Sequence, residues 1–274
     1  MVTSSTQRSA ARALLLDLDG VIWLAHQPIP GSVDAVERAR RAGWRVVFVT
    51  NNSAATIAEN EAALAAIGIP AVGDVVSSAL AAASLLEPGD RVLVSGGFGV
   101  VEAVERRGAF AVHEPPFDAV IVGFHRTFDY EGLRRTATAV RQGARLIGTN
   151  DDATYPTPDG LIPGGGAILA AVAVGSGADP VLAGKPHAAM AELVRQIIGE
   201  ANVKTSVMVG DRPSTDGLFA RELGCRYAHV WSGVTDRGTR IEPIPDLTGD
   251  DLGAVVDQLL ADDELQQTAV PFGV

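Results

Sequence analysis

Cysteine is almost absent from this 274-residue chain: Cys225 stands alone. No internal disulfide can form, and nothing in the chain has the Cys/His spacing of a zinc site. A reducing compartment is the natural expectation. Basic residues are scarce beside acidic ones, 22 Lys and Arg against 33 Asp and Glu, for a formal charge of -11. That balance argues against nucleic acid as a partner, because such binding draws its affinity from basic side chains that neutralise phosphates. Long hydrophobic runs are missing too. The most apolar later stretch, Ala167 to Val174, falls far short of the roughly 20 residues that a bilayer span needs, and Met1 to Ala13 carries no apolar leader core. The expectation is a cytoplasmic protein with no membrane partner. Internal repeats and low-complexity tracts are lacking as well, apart from a general richness in alanine.

What is present suits a packed globular chain: 47% hydrophobic residues, 20% charged residues and a mean hydropathy of +0.19. The length is generous for one domain and tight for two. Short β-branched or leucine-rich runs alternate with longer alanine-rich helical segments, the pattern of βα units around a mainly parallel sheet. Continuous apolar runs suit strands buried on both faces. Ala13 to Leu16, Arg45 to Val49, Pro180 to Ala183 and Ser206 to Val209 are expected as four strands of one sheet. Helices are expected over Ser32 to Ala42, Ser53 to Ile67, His187 to Gly199 and Thr215 to Leu223. Between the second and third units lies a block, 82–178, with strands and helices of its own and small polar hinges at Ser77-Ser78 and Gly175 to Asp179. The tail, Asp262 to Val274, is expected to fray.

Each of the four runs ends in chemistry. The first leads into Asp17-Leu18-Asp19-Gly20, the second into Thr50-Asn51-Asn52-Ser53, the third into Lys185-Pro186, and the fourth into Asp211 with Asp216 beyond. Ligands of an open α/β sheet bind outside the carboxyl ends of its strands, so these groups should share one crevice. Carboxylates that close repel one another unless a cation joins them, and an all-oxygen donor set favours a hard ion such as magnesium. Asp17 and Asp19, two apart on extended chain, point the same way while Leu18 turns to the core. Thr50, the backbone amides of Asn51 and Asn52 at a helix start, and Lys185 supply donors and positive charge for a tetrahedral anion. A carboxylate nucleophile, a metal and an anion cradle together suggest phosphoryl transfer through an aspartyl-phosphate.

These segments, Asp17-Leu18-Asp19-Gly20-Val21, Val49-Thr50-Asn51-Asn52-Ser53, Gly184-Lys185-Pro186 and Gly210-Asp211-Arg212-Pro213-Ser214-Thr215-Asp216, resemble the four signature motifs of the haloacid dehalogenase-like hydrolases. The fit is closest to the NagD-like, 4-nitrophenylphosphatase-like branch, with further marks in Pro28 to Gly31, Phe128-Asp129-Tyr130, Thr149 to Asp152 and Pro163 to Ala167. The resemblance spans roughly Ala13 to Leu260. It implies an α/β fold: a Rossmann-like parallel sheet core with helices on both faces, over 1–81 and 179–274, and a smaller inserted α/β cap over 82–178 that sets substrate specificity. It implies Asp17 as nucleophile and Asp19 as general acid and base. Magnesium would sit on Asp17, Asp19 and Asp211, the phosphoryl group on Thr50, Asn51, Asn52 and Lys185, and Asp216 would orient Lys185 or metal-bound water. The chain departs from the pattern at His125, where Asp is common, and at Leu218 to Arg221, where small residues are common.

The expected activity is therefore hydrolysis of phosphomonoesters of small metabolites, with a homodimer as a further implication of the resemblance. Phosphotransfer or dehalogenation on the same scaffold, or a non-catalytic phosphate-binding regulator, are the rival readings. Dehalogenation fits poorly, needing neither the metal nor Asp19. Ser95 to Gly99 invites a dinucleotide reading, but Glu102 stands where the third glycine belongs. The five histidines show no metal spacing, and Cys225 reads as a small core residue. Charge is also distributed unevenly. Residues 84–180 carry 8 basic and 12 acidic groups and residues 235–274 carry 2 and 9, so the segments bearing the motifs are neutral overall. The local carboxylate cluster then needs a divalent cation before a phosphate dianion can enter.

Overall fold

The structure, a computed structural model, describes residues 12–24, 26–157 and 160–268. The stretch read for an apolar leader, as far as Ala11, and residues 269–274 of the tail lie outside the described residues. Along the chain run β1 (Ala13–Leu16), a short hairpin of β2 (Trp23–Leu24) and β3 (Gln27–Pro28), α1 (Ser32–Arg41), β4 (Arg45–Thr50), α2 (Ile57–Ala66), β5 (Val75–Ser77) and α3 (Ser78–Ser84). Then come β6 (Arg91–Ser95), α4 (Phe98–Arg106), β7 (Phe110–Ala111), β8 (Ala119–Val122), α5 (Tyr130–Arg141) and β9 (Arg145–Gly148). A hairpin of β10 (Thr154–Thr157) and β11 (Gly160–Pro163) follows, with α6 (Gly165–Ser176) and β12 (Val181–Leu182). The chain closes with α7 (Ala188–Ile198), β13 (Val207–Gly210), α8 (Leu218–Leu223), β14 (Arg226–Val230), β15 (Leu247–Gly249) and α9 (Leu252–Thr268).

Two parallel sheets organise these elements. The first has the order β15-β14-β13-β1-β4-β5 and the second β12-β9-β8-β6-β7. Every pairing within them is parallel. The central strands β1, β13 and β8 are buried along their whole length, as their unbroken apolar runs require. Helix α1 buries Ala35, Val36 and Ala39 and turns Arg38 and Arg41 outward, the stripe of an amphipathic helix on a sheet. The strand expected over Pro180 to Ala183 exists, but it belongs to the second sheet. Its Val181 and Leu182 pair with Ile147 and Gly148 of β9, which corrects the expectation of four strands in one sheet. The first sheet is completed instead by β5, β14 and β15.

Helix α3 lies between the two sheets. Its Ala79, Ala81, Ala82 and Ala83 are all buried in one apolar cluster that holds Leu15 and Val49 of the first sheet together with Ile121 and Ile147 of the second. The opposite faces have separate clusters, around Leu14, Phe48 and Val209 under α1 and α9, and around Val120, Val122 and Leu169 under α5 and α6. Residues 262–268 continue α9 rather than fraying.

Candidate active site

The carboxyl ends of β1, β4 and β13, with the chain just after β12, meet in one cleft. Asp17 continues β1 by one residue, its N–H donating to the Val209 carbonyl at 3.0 Å. Asp17 and Asp19 both line the cleft while Leu18 is buried, the alternation expected of extended chain. The turn closes through the Trp23 indole, which donates to Asp19 Oδ1 at 3.2 Å.

Lys185 is the buried cation of this cleft. Its ammonium donates to Asp17 Oδ1 at 2.8 Å and to Asp216 Oδ1 at 2.7 Å, and only 1% of its surface is exposed. Burial alone would lower its pKa, but the two carboxylates outweigh that and hold it above the usual lysine value. Asp216 is held from its other oxygen by the Arg212 N–H at 3.1 Å. Asp211 is fixed by the Val234 N–H at 2.7 Å, and its Oδ1 is buried with no hydrogen-bond partner.

Burial, offset by Lys185 and reinforced by Asp216, raises Asp17 to about 6. Burial and then Asp17 raise Asp19 to about 6, where a carboxyl can act as an acid near neutral pH. Burial, then Asp216 and Asp17, raise Asp211 to about 7. Carboxylate oxygens of Asp17, Asp211 and Asp216 lie within 4.8 Å of one another. An orphaned, desolvated carboxylate oxygen in an all-oxygen cluster is the setting a hard divalent cation satisfies, so these residues fit one. The Asp19 side chain is outside that cluster.

The second motif departs from expectation in one respect. Asn51 and Asn52 do not open a helix, because α2 starts at Ile57, where Thr56 and Glu59 form a reciprocal capping box. Thr50 faces the cleft and is 2% exposed, and its Oγ1 accepts the Asn52 N–H at 3.0 Å. Lys185 likewise precedes α7 without belonging to its first turn, since that helix starts at Ala188.

The opposite wall comes from the loops after β8 and β9, the β10–β11 hairpin and the start of α6: Phe124, Asn150, Asp152, Thr154, Tyr155 and Gly165. Phe124 and Tyr155 stack with centroids 5.2 Å apart. Burial, then the Asp19 charge, push the Tyr155 phenol up to about 12, so it stays a donor. Tyr155, Phe124 and Arg212 were not picked out by sequence reasoning. Arg212 directly follows Asp211, and the hairpin position of Tyr155 opposite Ile162 has no local signature beyond alternation. His125 is engaged elsewhere, one ring nitrogen lying 3.1 Å from Ser95 Oγ.

A family model for haloacid dehalogenase-like hydrolases matches residues 14–109, and a related hydrolase model matches 182–255. The D-glycerol 3-phosphate phosphatase of Mycobacterium tuberculosis is 36% identical over 250 residues, covering 87% of this chain and 69% of that protein. A p-nitrophenyl phosphatase from Archaeoglobus fulgidus superposes with a TM-score of 0.85 at 27% identity, covering 91% of this chain and 100% of that one. A glycerol phosphate phosphatase from Mycobacterium tuberculosis, solved in complex with magnesium, gives a TM-score of 0.81 at 34% identity, covering 90% of this chain and 76% of that one. Among the described residues no helix is long and apolar enough to cross a membrane. The chain belongs to the haloacid dehalogenase-like hydrolases and is a phosphatase of their 4-nitrophenylphosphatase-like branch.

Proposed function

We propose that this protein hydrolyses phosphomonoesters of small, freely diffusing metabolites in the cytoplasm, with residues 82–178 acting as a cap over a core of 1–81 and 179–274. The observation that carries the reading is the Lys185 ammonium bridging Asp17 and Asp216 at 2.8 and 2.7 Å in a cleft that Thr50 also faces. Two of the matches named above are glycerol phosphate phosphatases, which supports a small hydroxylated leaving group.

Asp17 and Asp211, with the backbone carbonyl of Asp19, would hold magnesium. When bound, it would offset carboxylate charge and polarise the phosphoryl group. An Asp17 oxygen attacks phosphorus, and the bond from phosphorus to the leaving oxygen breaks while the Asp19 carboxyl delivers its proton to that oxygen. Water then enters, Asp19 takes its proton, and the water oxygen bonds to phosphorus as the Asp17 acyl phosphate breaks. The Thr50 hydroxyl and Lys185 ammonium hold the phosphoryl oxygens throughout, and Asp216 orients Lys185. Asn51 and Asn52 support Thr50 and Lys185. Phe124 and Tyr155 wall off the leaving group and keep bulk water out. Purified protein should hydrolyse 4-nitrophenyl phosphate with magnesium and stop on chelation. Binding without turnover across a panel of phosphorylated metabolites would defeat the reading.

The carboxylates make a pH prediction. Asp17, Asp19 and Asp211 have folded values of about 6, about 6 and about 7, against 3.8 for the free side chain. Because the folded state binds these protons more tightly than the unfolded chain, stability falls as pH rises through that window. In chelator, Tm should therefore be higher near about pH 5 than near about pH 8, and magnesium should raise Tm more at the higher pH. Differential scanning fluorimetry checks it; an equal magnesium shift at both pH values contradicts the metal assignment.

Asp211 is also sterically framed. A Cβ on Gly233 would run into its carboxylate. Gly233→Ala should raise the magnesium needed for half-maximal turnover by roughly 10- to 100-fold, the usual effect of disturbing a ligand's support. A magnesium titration of the rate measures it, and an unshifted midpoint would count against Asp211 as a ligand.

A further inference from the structure

Asn51 occupies the junction at which both chain crossings between the sheets meet the Lys185 loop. Both atoms of its side-chain amide are engaged. The Oδ1 accepts the Lys185 N–H at 2.8 Å, and Nδ2 donates to the Lys185 carbonyl at 3.0 Å and to Asp152 Oδ2 at 3.0 Å. Its backbone carbonyl accepts from Asn150 Nδ2 and from Ser78 Oγ, both at 2.7 Å. Ser78 opens α3, where the chain leaves the first sheet. Gly184, where the chain returns, donates its N–H to the Thr149 carbonyl at 2.8 Å. A Cβ at Gly184 would lie 2.5 Å from that oxygen and 2.6 Å from Asn51 Oδ1. Only a bare backbone lets three segments close on this amide.

We propose that Asn51 is a positioning residue that transmits the placement of the second sheet to Lys185. The Asn51 amide grips the Lys185 peptide on both sides; on the loop after β9, Asp152 fixes that amide and Asn150 holds the Asn51 backbone carbonyl. The Lys185 ammonium therefore reaches Asp17 and Asp216 in register only when that loop is seated on Asn51. Two discrete donors and one acceptor make the grip directional, so a shifted loop rotates the amide rather than merely loosening it. The inference rests on Lys185 holding the phosphoryl group as proposed above, and it gives the cap a role beyond walling the cleft.

The test compares Asp152→Ala, Asp152→Asn, Asn51→Ala and Asn51→Ala/Asp152→Ala. Each is measured for kcat and KM on 4-nitrophenyl phosphate with magnesium, for affinity to inorganic phosphate by calorimetry, and for Tm. Asp152→Ala should lower kcat on the order of tenfold or more, as misplacement of a reacting group does. Asp152→Asn keeps an oxygen that can accept from Asn51 Nδ2 and should recover most of that loss. Phosphate affinity should follow the same order. In the Asn51→Ala background, loss of Asp152 should cost less than about twofold more, because its path runs through Asn51. An Asp152→Asn enzyme as slow as Asp152→Ala, or losses that multiply in the double variant, overturns the proposal. If Asn51→Ala does not fold, the two Asp152 variants decide it alone. Wild-type protein that binds phosphate without turnover defeats the phosphatase reading, and the phosphate affinities then decide the coupling. Failure to bind phosphate at all defeats both.

Discussion

Asp17→Asn is expected to abolish turnover of 4-nitrophenyl phosphate, with kcat falling by roughly 10⁴-fold or more, the scale seen when a covalent nucleophile is removed. An amide oxygen cannot form the acyl phosphate, yet it can still accept the Lys185 hydrogen bond that Asp17 Oδ1 accepts at 2.8 Å. The fold should therefore survive. Burial already pushes the Asp17 carboxyl toward its neutral form, so replacing it with a neutral isostere removes a charge that the folded chain disfavours in the absence of metal. In chelator the Tm of the variant should equal or exceed that of the wild type. Acid quenching during turnover, followed by mass spectrometry, should find a phosphorylated Asp17 peptide in the wild type and none in the variant. Turnover by Asp17→Asn within tenfold of wild type would sink the nucleophile assignment.

Lys185→Met should damage both rate and fold. The ammonium is 1% exposed and bonded to two carboxylates. Removing it leaves Asp17 and Asp216 facing each other with no cation between them, and breaking a buried ion pair from one side typically costs about 3–5 kcal/mol. Losing a preorganised charge on the phosphoryl group should lower kcat by roughly 10²- to 10³-fold. The two effects separate in the double variant Lys185→Met/Asp216→Asn. Neutralising Asp216 removes the like-charge contact and should return part of the stability, while the rate stays low. Urea midpoints and kcat for the single and double variants check this. A double variant that recovers rate along with stability would mean that Lys185 serves only the fold.

The chemistry was more legible than the architecture. Asp17, Thr50 and Asp211 sit at the ends of apolar runs that local patterning reveals, and strand-end placement brings Asp17 and Thr50 to one cleft with the Asp211 carboxylate beside Asp17. An apolar run reports burial, however, and not which sheet does the burying. Val181 and Leu182 look like a strand of the first sheet because Lys185 follows them, yet their partners Ile147 and Gly148 are more than thirty positions away, and no local signal names a distant partner. β14 was missed for a different reason. Its Tyr227 and His229 look polar for an inner strand, but the Tyr227 hydroxyl and His229 Nδ1 lie 2.9 Å apart and pair in the interior, with His229 Nε2 left unpartnered. The helix expected from Ser53 waits until Ile57, because the capping box at Thr56 and Glu59 is a stronger start signal than the Asn51-Asn52 pair.

Helix α3 bears on how this enzyme could be re-engineered. Its alanines touch apolar residues of both sheets within a single cluster, so one helix serves as floor to one sheet and ceiling to the other. A chimera that takes its second sheet from a relative with a cut inside Ser78–Ser84 would graft one half of a helix onto a surface shaped by the other half. Alanine leaves no longer side chain to rearrange, so the misfit would fall on the backbone spacing itself. Keeping α3 intact and joining after Leu86, which is buried in the same cluster, would confine the new interface to the far side of the helix, where one packing problem replaces two.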